Sequence, residues 1–150
     1  MPQTSCFNLV FSASPGNVRT ALNDLCVFLE NNTISENHVG TAQIVAGEVL
    51  NNVVEHATRH QADGRIEITC EITFESLIFT VCDNGTPMPR GGIPNKGLPP
   101  VDTTLDNLPE GGFGWALVHL LTSGITYHRR QDKNCLKFTL PAIGKSSLSE

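Results

Sequence analysis

Apolar positions along the chain follow two repeats, one of two residues and one of three to four, and their succession predicts five strands and three helices. Residues 6–13 set Phe7, Leu9 and Phe11 on one side, the period of a strand. Ser14 and Pro15 then supply a helix N-cap and a proline at the first helical position. Residues 17–30 carry Val18, Leu22, Leu25, Val27, Phe28 and Leu29 as a helical apolar face, closed by Asn31 and Asn32. Ser35 caps a second helix over 36–60, the longest periodic stretch, with Val39, Ala42, Ala46, Val49, Val53 and Ala57 at three- and four-residue steps. Ala62, Asp63 and Gly64 break it. From 65 to 74, Ile66, Ile68, Cys70, Ile72 and Phe74 alternate inward against Arg65, Glu67, Thr69, Glu71 and Thr73, a half-solvated antiparallel strand. Glu75 and Ser76 turn the chain into 77–82, which is more continuously apolar and expected to be more buried.

Residues 84–110 break both repeats. Six of the nine prolines lie there (Pro87, Pro89, Pro94, Pro99, Pro100 and Pro109), with Gly85, Gly91, Gly92 and Gly97. A structureless stretch of this length inside a small domain points to a functional lid or to disorder. Gly111, Gly112, Phe113 and Gly114 open a short third helix over 115–122. Two strands follow, 125–130 and 134–140, with Gln131, Asp132 and Lys133 as the turn between them. The serine-rich tail 144–150 is expected to fray. The order β-α-α-β-β-lid-α-β-β is that of an α+β two-layer sandwich, helices covering one face of a sheet.

The chain's 150 residues fit one domain, with a core over about 7–141, and suffice to bury a core without disulfides. Ten basic against fifteen acidic residues leave a net charge of −5, which argues against binding nucleic acid or an anionic membrane. No apolar run reaches the roughly 18–20 residues of a membrane span. The start, MPQTSCFNLVF, has no basic segment ahead of an apolar one, so no secretory signal is expected. Cys6, Cys26, Cys70, Cys82 and Cys135 are scattered and odd in number without a CxxC pair, which disfavours a disulfide framework and a zinc knuckle. They are expected to act as small hydrophobes in a reducing cytoplasm.

Three features could carry chemistry. Glu48, Asn52 and His56 stand at steps of four on the second helix, so a carboxylate, an amide and an imidazole form one row beside the apolar stripe. Such a row is costly at the edge of a core unless something polar meets it. Glu55, close to the same side, reads as a solvated charge. Asp83, Asn84 and Gly85 end the strand 77–82, where an acidic residue can face a ligand while the glycine lets the backbone turn. Taken alone this is also ordinary turn chemistry. The glycines 111, 112 and 114 at a helix start let backbone N–H groups approach an anion, although no P-loop ending follows them. His56 and His60 share zinc-ligand spacing, but no third ligand or intervening glutamate is present. Arg129, Arg130 and Lys133 read as a solvated basic turn, and Trp115 and Phe113 as residues packing the third helix onto the sheet.

In this order and spacing the three features resemble the ATP site of the GHKL superfamily, the histidine-kinase-like or Bergerat-fold ATPases. Glu48-x-x-x-Asn52-x-x-x-His56 is similar to the N-box, Asp83-x-Gly85 to the first glycine box and Gly112-x-Gly114 to the second. The single short domain and the run EVLNNVVEHA resemble the bacterial anti-sigma-factor serine-protein kinases of partner-switching systems. Three positions depart from the family pattern: Pro87 stands where a second glycine is common, Asn134 and Cys135 where relatives place a threonine near adenine, and Trp115 where leucine is usual.

The resemblance implies a mixed, mostly antiparallel sheet and two cofactors, ATP and Mg²⁺. It implies that Asn52 supplies an oxygen to Mg²⁺, that Glu48 acts as general base on the incoming hydroxyl, and that Asp83 accepts from the adenine amino group. Gly85 then lets the ring lie against the backbone, Gly111, Gly112 and Gly114 hold the phosphates, and His56 has a supporting role. Arg19 falls where relatives engage a sigma factor or its antagonist. The implied protein is cytoplasmic, possesses serine-kinase activity toward an anti-sigma-factor antagonist with a STAS-type domain, binds a sigma factor, and forms a homodimer. The alternatives are an ATP-binding switch that sequesters its partner without phosphotransfer, and the detached ATP-binding half of a histidine kinase. The missing dimerisation helix with a phosphoacceptor histidine counts against the last.

Overall fold

The computed structural model describes residues 5–88, 93 and 112–141. Most of the expected lid, Gly111 and the tail 144–150 lie outside the described residues. Both expected helix caps form. Ser14 Oγ accepts from the Asn17 N–H at 3.1 Å and opens α1 (Pro15–Asn31), and Ser35 Oγ accepts from the His38 N–H at 3.3 Å and opens α2 (Glu36–Asn52). The remaining elements are β1 (Ser5–Ser12), β2 (Arg65–Ile72), β3 (Ser76–Asp83), α3 (Gly112–Leu121), β4 (Gly124–Arg130) and β5 (Lys133–Pro141).

The five strands form one sheet in the order β1-β2-β3-β5-β4, and every described pairing is antiparallel. Alternation decides the layers. Ile66, Ile68, Leu77, Phe79, Val81, Leu136, Phe138 and Leu140 are buried against Leu25, Leu29, Val45, Leu50 and Val118 of the helices. Their strand neighbours Arg65, Glu67, Glu71 and Lys137 face solvent. Phe79 and Phe138, directly opposite in register, stack with centroids 4.9 Å apart at the centre of the core.

Three expectations are corrected. The second helix does not run as α-helix to residue 60: after Asn52 it widens into a π-helical turn (Val53–Ala57), closed by the Thr58 N–H on Val53 O at 2.9 Å. Hydrophobic periodicity sees only which face is apolar and is blind to one wide turn. Phe74 is 92 % exposed rather than inward, because β2 ends at Ile72 and Thr73 and Ser76 bond across the turn. β3 is more buried than β2, as expected, with no exposed residue, and its burial alternates because only one face of the sheet is covered by helices. Finally, Cys82 and Cys135 are joined in a disulfide. They lie 53 residues apart in sequence and become opposite neighbours, with Cα atoms 4.1 Å apart, only when β3 pairs with β5. Of the other cysteines, Cys70 fits the expected role of a small hydrophobe, its thiol pushed up to about 12 chiefly by burial. Among the described residues no helix is long and apolar enough to cross a membrane.

Candidate functional site

The end of α2 and the π-turn set one side of the site. Glu48 and His56 are exposed and Asn52 is half-buried. The widened turn leaves the Ala57 carbonyl to a partner outside the helix: it accepts from the Thr86 N–H at 2.8 Å, just beyond β3. That contact presses Gly85 onto the turn. A Cβ on Gly85 would lie 2.3 Å from Ala57 O and 2.4 Å from its carbonyl carbon, so glycine is required there by the close approach of two backbones. Gly85→Ala is therefore expected to destabilise the fold by about 2–3 kcal/mol, the upper range for overpacking. Urea unfolding of the variant measures this, and a loss below about 0.5 kcal/mol would mean that the contact yields freely.

The opposite side comes from the ends of β3, β4 and β5. Asp83 and Asn134 are register partners, 6 % and 4 % exposed, and both stand at inward positions of otherwise apolar strands. Asp83 Oδ1 accepts from the Gly85 N–H at 2.7 Å and from Asn134 Nδ2 at 2.9 Å. Among the described residues no donor reaches Oδ2. Burial pushes the Asp83 carboxyl above the ordinary carboxylate value, opposed by the bonds from Asn134 and Gly85 and by the positive charge of Arg129. Asn134 Oδ1 in turn accepts from Tyr127 OH at 2.5 Å and from Arg129 at 3.1 Å. Arg129 also donates to Gly85 O at 2.7 Å.

Between these sides lies a cavity of about 230 Å³. Val49, Val53, Val81, Leu136 and Met88 give it an apolar wall, into which Asp83, Asn134 and Tyr127 bring polar atoms. A second, more polar hollow of about 250 Å³ shares Val49, Asn52, His56 and Trp115 with the first and adds Glu48, Asn51, Glu55 and Gly114. The Glu48 carboxylate lies directly over Gly114: a Cβ there would meet Glu48 Oε1 at 2.1 Å. The missing side chain at the start of α3 thus makes room for an acid from α2.

Most residues singled out in the sequence converge here. Asp83 faces the apolar cavity, Glu48 and Gly114 the polar one, and Asn52 and His56 both. Gly112 begins α3, and Arg19 is exposed on α1 and lines neither cavity. Glu55 is exposed as expected, yet it lines the polar hollow. Trp115 is buried and forms part of the wall between the two cavities. Arg129 is exposed and pairs with Asp132 of the turn at 3.8 Å, as a solvated turn implies, but it also bonds Gly85 and Asn134 and so ties the turn to the site. Tyr127, Thr86 and Met88 were missed, and Asn134 was noted only as a departure from the family pattern, without a role. A signal existed for Asn134, a polar residue on the buried parity of an alternating strand. Among the described residues no group of three His, Cys, Asp or Glu side chains could hold a metal by itself. A hard cation would depend on an oxygen such as that of Asn52 together with ligand phosphates and water, which is how Mg²⁺ is commonly held in phosphate sites.

Residues 11–140 match the family described as histidine kinase-like ATPase domain. The serine/threonine-protein kinase BtrW of Bordetella bronchiseptica is 31 % identical over 100 residues, 66 % of this chain and 68 % of that one. Among solved structures, the RsbU and RsbW domains of Rv1364c from Mycobacterium tuberculosis superpose with a TM-score of 0.60 at 15 % identity, over 93 % of this chain. The match spans 34 % of that longer chain. The catalytic domain of histidine kinase ThkA superposes with a TM-score of 0.52 at 16 % identity, over 96 % of this chain and all of that one. These two likenesses establish a shared fold.

Proposed function

The chain belongs to the histidine kinase-like ATPase domain family, and from that membership we propose that it binds ATP with Mg²⁺ and phosphorylates a serine of a small anti-sigma-factor antagonist. In this scheme the unphosphorylated antagonist captures the kinase and frees a sigma factor, and phosphorylation reverses the exchange. The relative BtrW, a serine/threonine-protein kinase, supports protein phosphorylation as the activity. The observation that carries the reading is the pair of cavities: an apolar one with a carboxylate oxygen open to it, adjoining a polar one where an acid lies over a helix start.

Each residue then has a task its chemistry suits. The apolar walls receive the adenine ring, and Asp83 Oδ2 accepts from its amino group. The start of α3 turns its N–H groups toward the phosphates. Asn52 offers a hard oxygen to the cation, which when bound neutralises phosphate charge. Glu48 takes the proton of the attacking serine hydroxyl as the new O–P bond forms and the bond to ADP breaks.

Asn52→Ala tests the reading at its centre. ATP affinity in the presence of Mg²⁺ should fall at least roughly tenfold, the lower bound for weakening a metal's support, while the circular dichroism spectrum stays unchanged. Calorimetry with and without Mg²⁺ measures this, and equal affinities for variant and parent would remove the assignment. Labelled ATP incubated with the antagonist separates kinase from switch: transfer to serine identifies the first, tight binding without transfer the second.

A further inference from the structure

The base of the site contains a polar network larger than nucleotide contact requires. Asn134 is nearly inaccessible, yet all four of its hydrogen-bonding positions are used. Its amide nitrogen donates to Asp83 Oδ1 at 2.9 Å and to Thr86 O at 2.8 Å, and its oxygen accepts from Tyr127 and Arg129. The reverse orientation of the amide would set oxygen against two acceptors and nitrogen against a guanidinium, so the partners dictate which way it points. Tyr127 OH also accepts from the Met88 N–H at 3.1 Å, which ties the network to the segment leaving β3.

The hairpin maintains this arrangement. Gln131 and Asp132, both at positive φ (52° and 65°), form a two-residue turn, and that turn sets Arg129 opposite Asn134. The disulfide holds the next pair along, Cys82 and Cys135, on the other face of the sheet.

We propose that Asn134 is the positioning residue of Asp83: by occupying one carboxylate oxygen it presents the other alone to the cavity, and so sets a preference for adenine over guanine. This rests on the reading of the apolar cavity as the base pocket. The χ2 torsion of aspartate is broad, and a carboxylate held by the Gly85 N–H alone, without the Asn134 amide, can turn so that both oxygens face a ligand. Two such oxygens match the adjacent N1–H and 2-amino donors of guanine. One fixed oxygen beside a shielded partner matches the single 6-amino donor of adenine. Anchoring the carboxylate therefore disfavours the wrong base as well as serving the right one.

The test is calorimetric titration of the full chain with ATP and with GTP. Asn134→Ala should narrow the ratio of the two affinities at least tenfold, chiefly by weakening ATP. Asn134→Asp supplies a readout that a merely structural role would not move. Above the titration of the new carboxylate pair both groups are charged and repel. Acidification lets the pair share a proton, and the restored O–H donor re-anchors Asp83. ATP affinity of N134D should thus rise at first as pH is lowered, whereas that of the parent falls.

An unchanged ATP-to-GTP ratio in N134A, with the parent preferring ATP, overturns the inference and leaves the proposed function standing. A parent that binds neither nucleotide overturns both. If N134A fails to fold, the pH slope of N134D decides: a rise on acidification supports the role, and a slope parallel to the parent's removes it.

Discussion

Asp83→Asn is expected to lower ATP affinity roughly a hundredfold or more while the fold persists. Both partners of Oδ1, the Gly85 N–H and Asn134 Nδ2, are donors. The amide oxygen of the variant must stay between them, which sends its nitrogen to the position of Oδ2. Two N–H groups then confront the adenine amino group, donor against donor. The lost bond to a charged acceptor is worth about 1.5–3 kcal/mol, and the stranded donors add about 1–3 kcal/mol. At about 1.4 kcal/mol per tenfold the two together come to roughly a hundredfold at the low end and far more at the high end. Guanine offers an acceptor at the same place, so the variant should also shift preference toward GTP.

The fold should tolerate the change, because a buried charge is removed and both inner bonds are kept. Burial holds the Asp83 carboxyl above its ordinary value, so the folded state takes up a proton more readily than the unfolded chain. The cost of the buried charge is fully present above the raised value and is relieved as pH falls from it toward the ordinary one, near 3.8. Acidification through that window thus favours folding at this group, while a proton on the open oxygen weakens ATP binding. D83N should lose both dependences. Titration with ATP and GTP across this range measures them, and undiminished ATP affinity in D83N would take adenine out of this cavity.

Glu48→Gln is expected to reduce phosphoryl transfer by about 10²–10⁴-fold with ATP affinity little changed, the range for loss of a general base. Glutamine has the same shape, so the contact over Gly114 and the polar hollow remain while the proton acceptor is lost. The effect should therefore appear in the rate at saturating ATP and not in binding. Single-turnover transfer from labelled ATP to the antagonist separates the two. Transfer at the parental rate would free Glu48 of any catalytic part, and an equal fall in affinity would make it a binding residue instead.

Much of the architecture could be read from the chain because its signals are local. Ser14 and Ser35 cap helices with their own side chains, and alternation alone assigns Ile66, Ile68, Leu136 and Phe138 to one face of a sheet. The row Glu48, Asn52, His56 was visible for the same reason, since helical spacing makes near neighbours in sequence near neighbours in space. Asp83 was visible as an acid at a strand end followed by glycine. What was illegible depends on strands distant in sequence. Asn134 meets Asp83 and Cys82 meets Cys135 only through the β3–β5 register, 51 and 53 residues apart.

The sequence by itself determined the order of elements, the inward faces, and which acid, amide and glycines were candidates for chemistry, because those follow from short-range periodicity and backbone preference. The tertiary structure alone decided that Gly85 yields space to Ala57, that Gly114 yields space to Glu48, and that Asn134 joins Asp83 to Tyr127 and Arg129 in one network. Those are contacts between surfaces that exist only after the helices pack on the sheet, and no local spacing encodes which two backbones will touch.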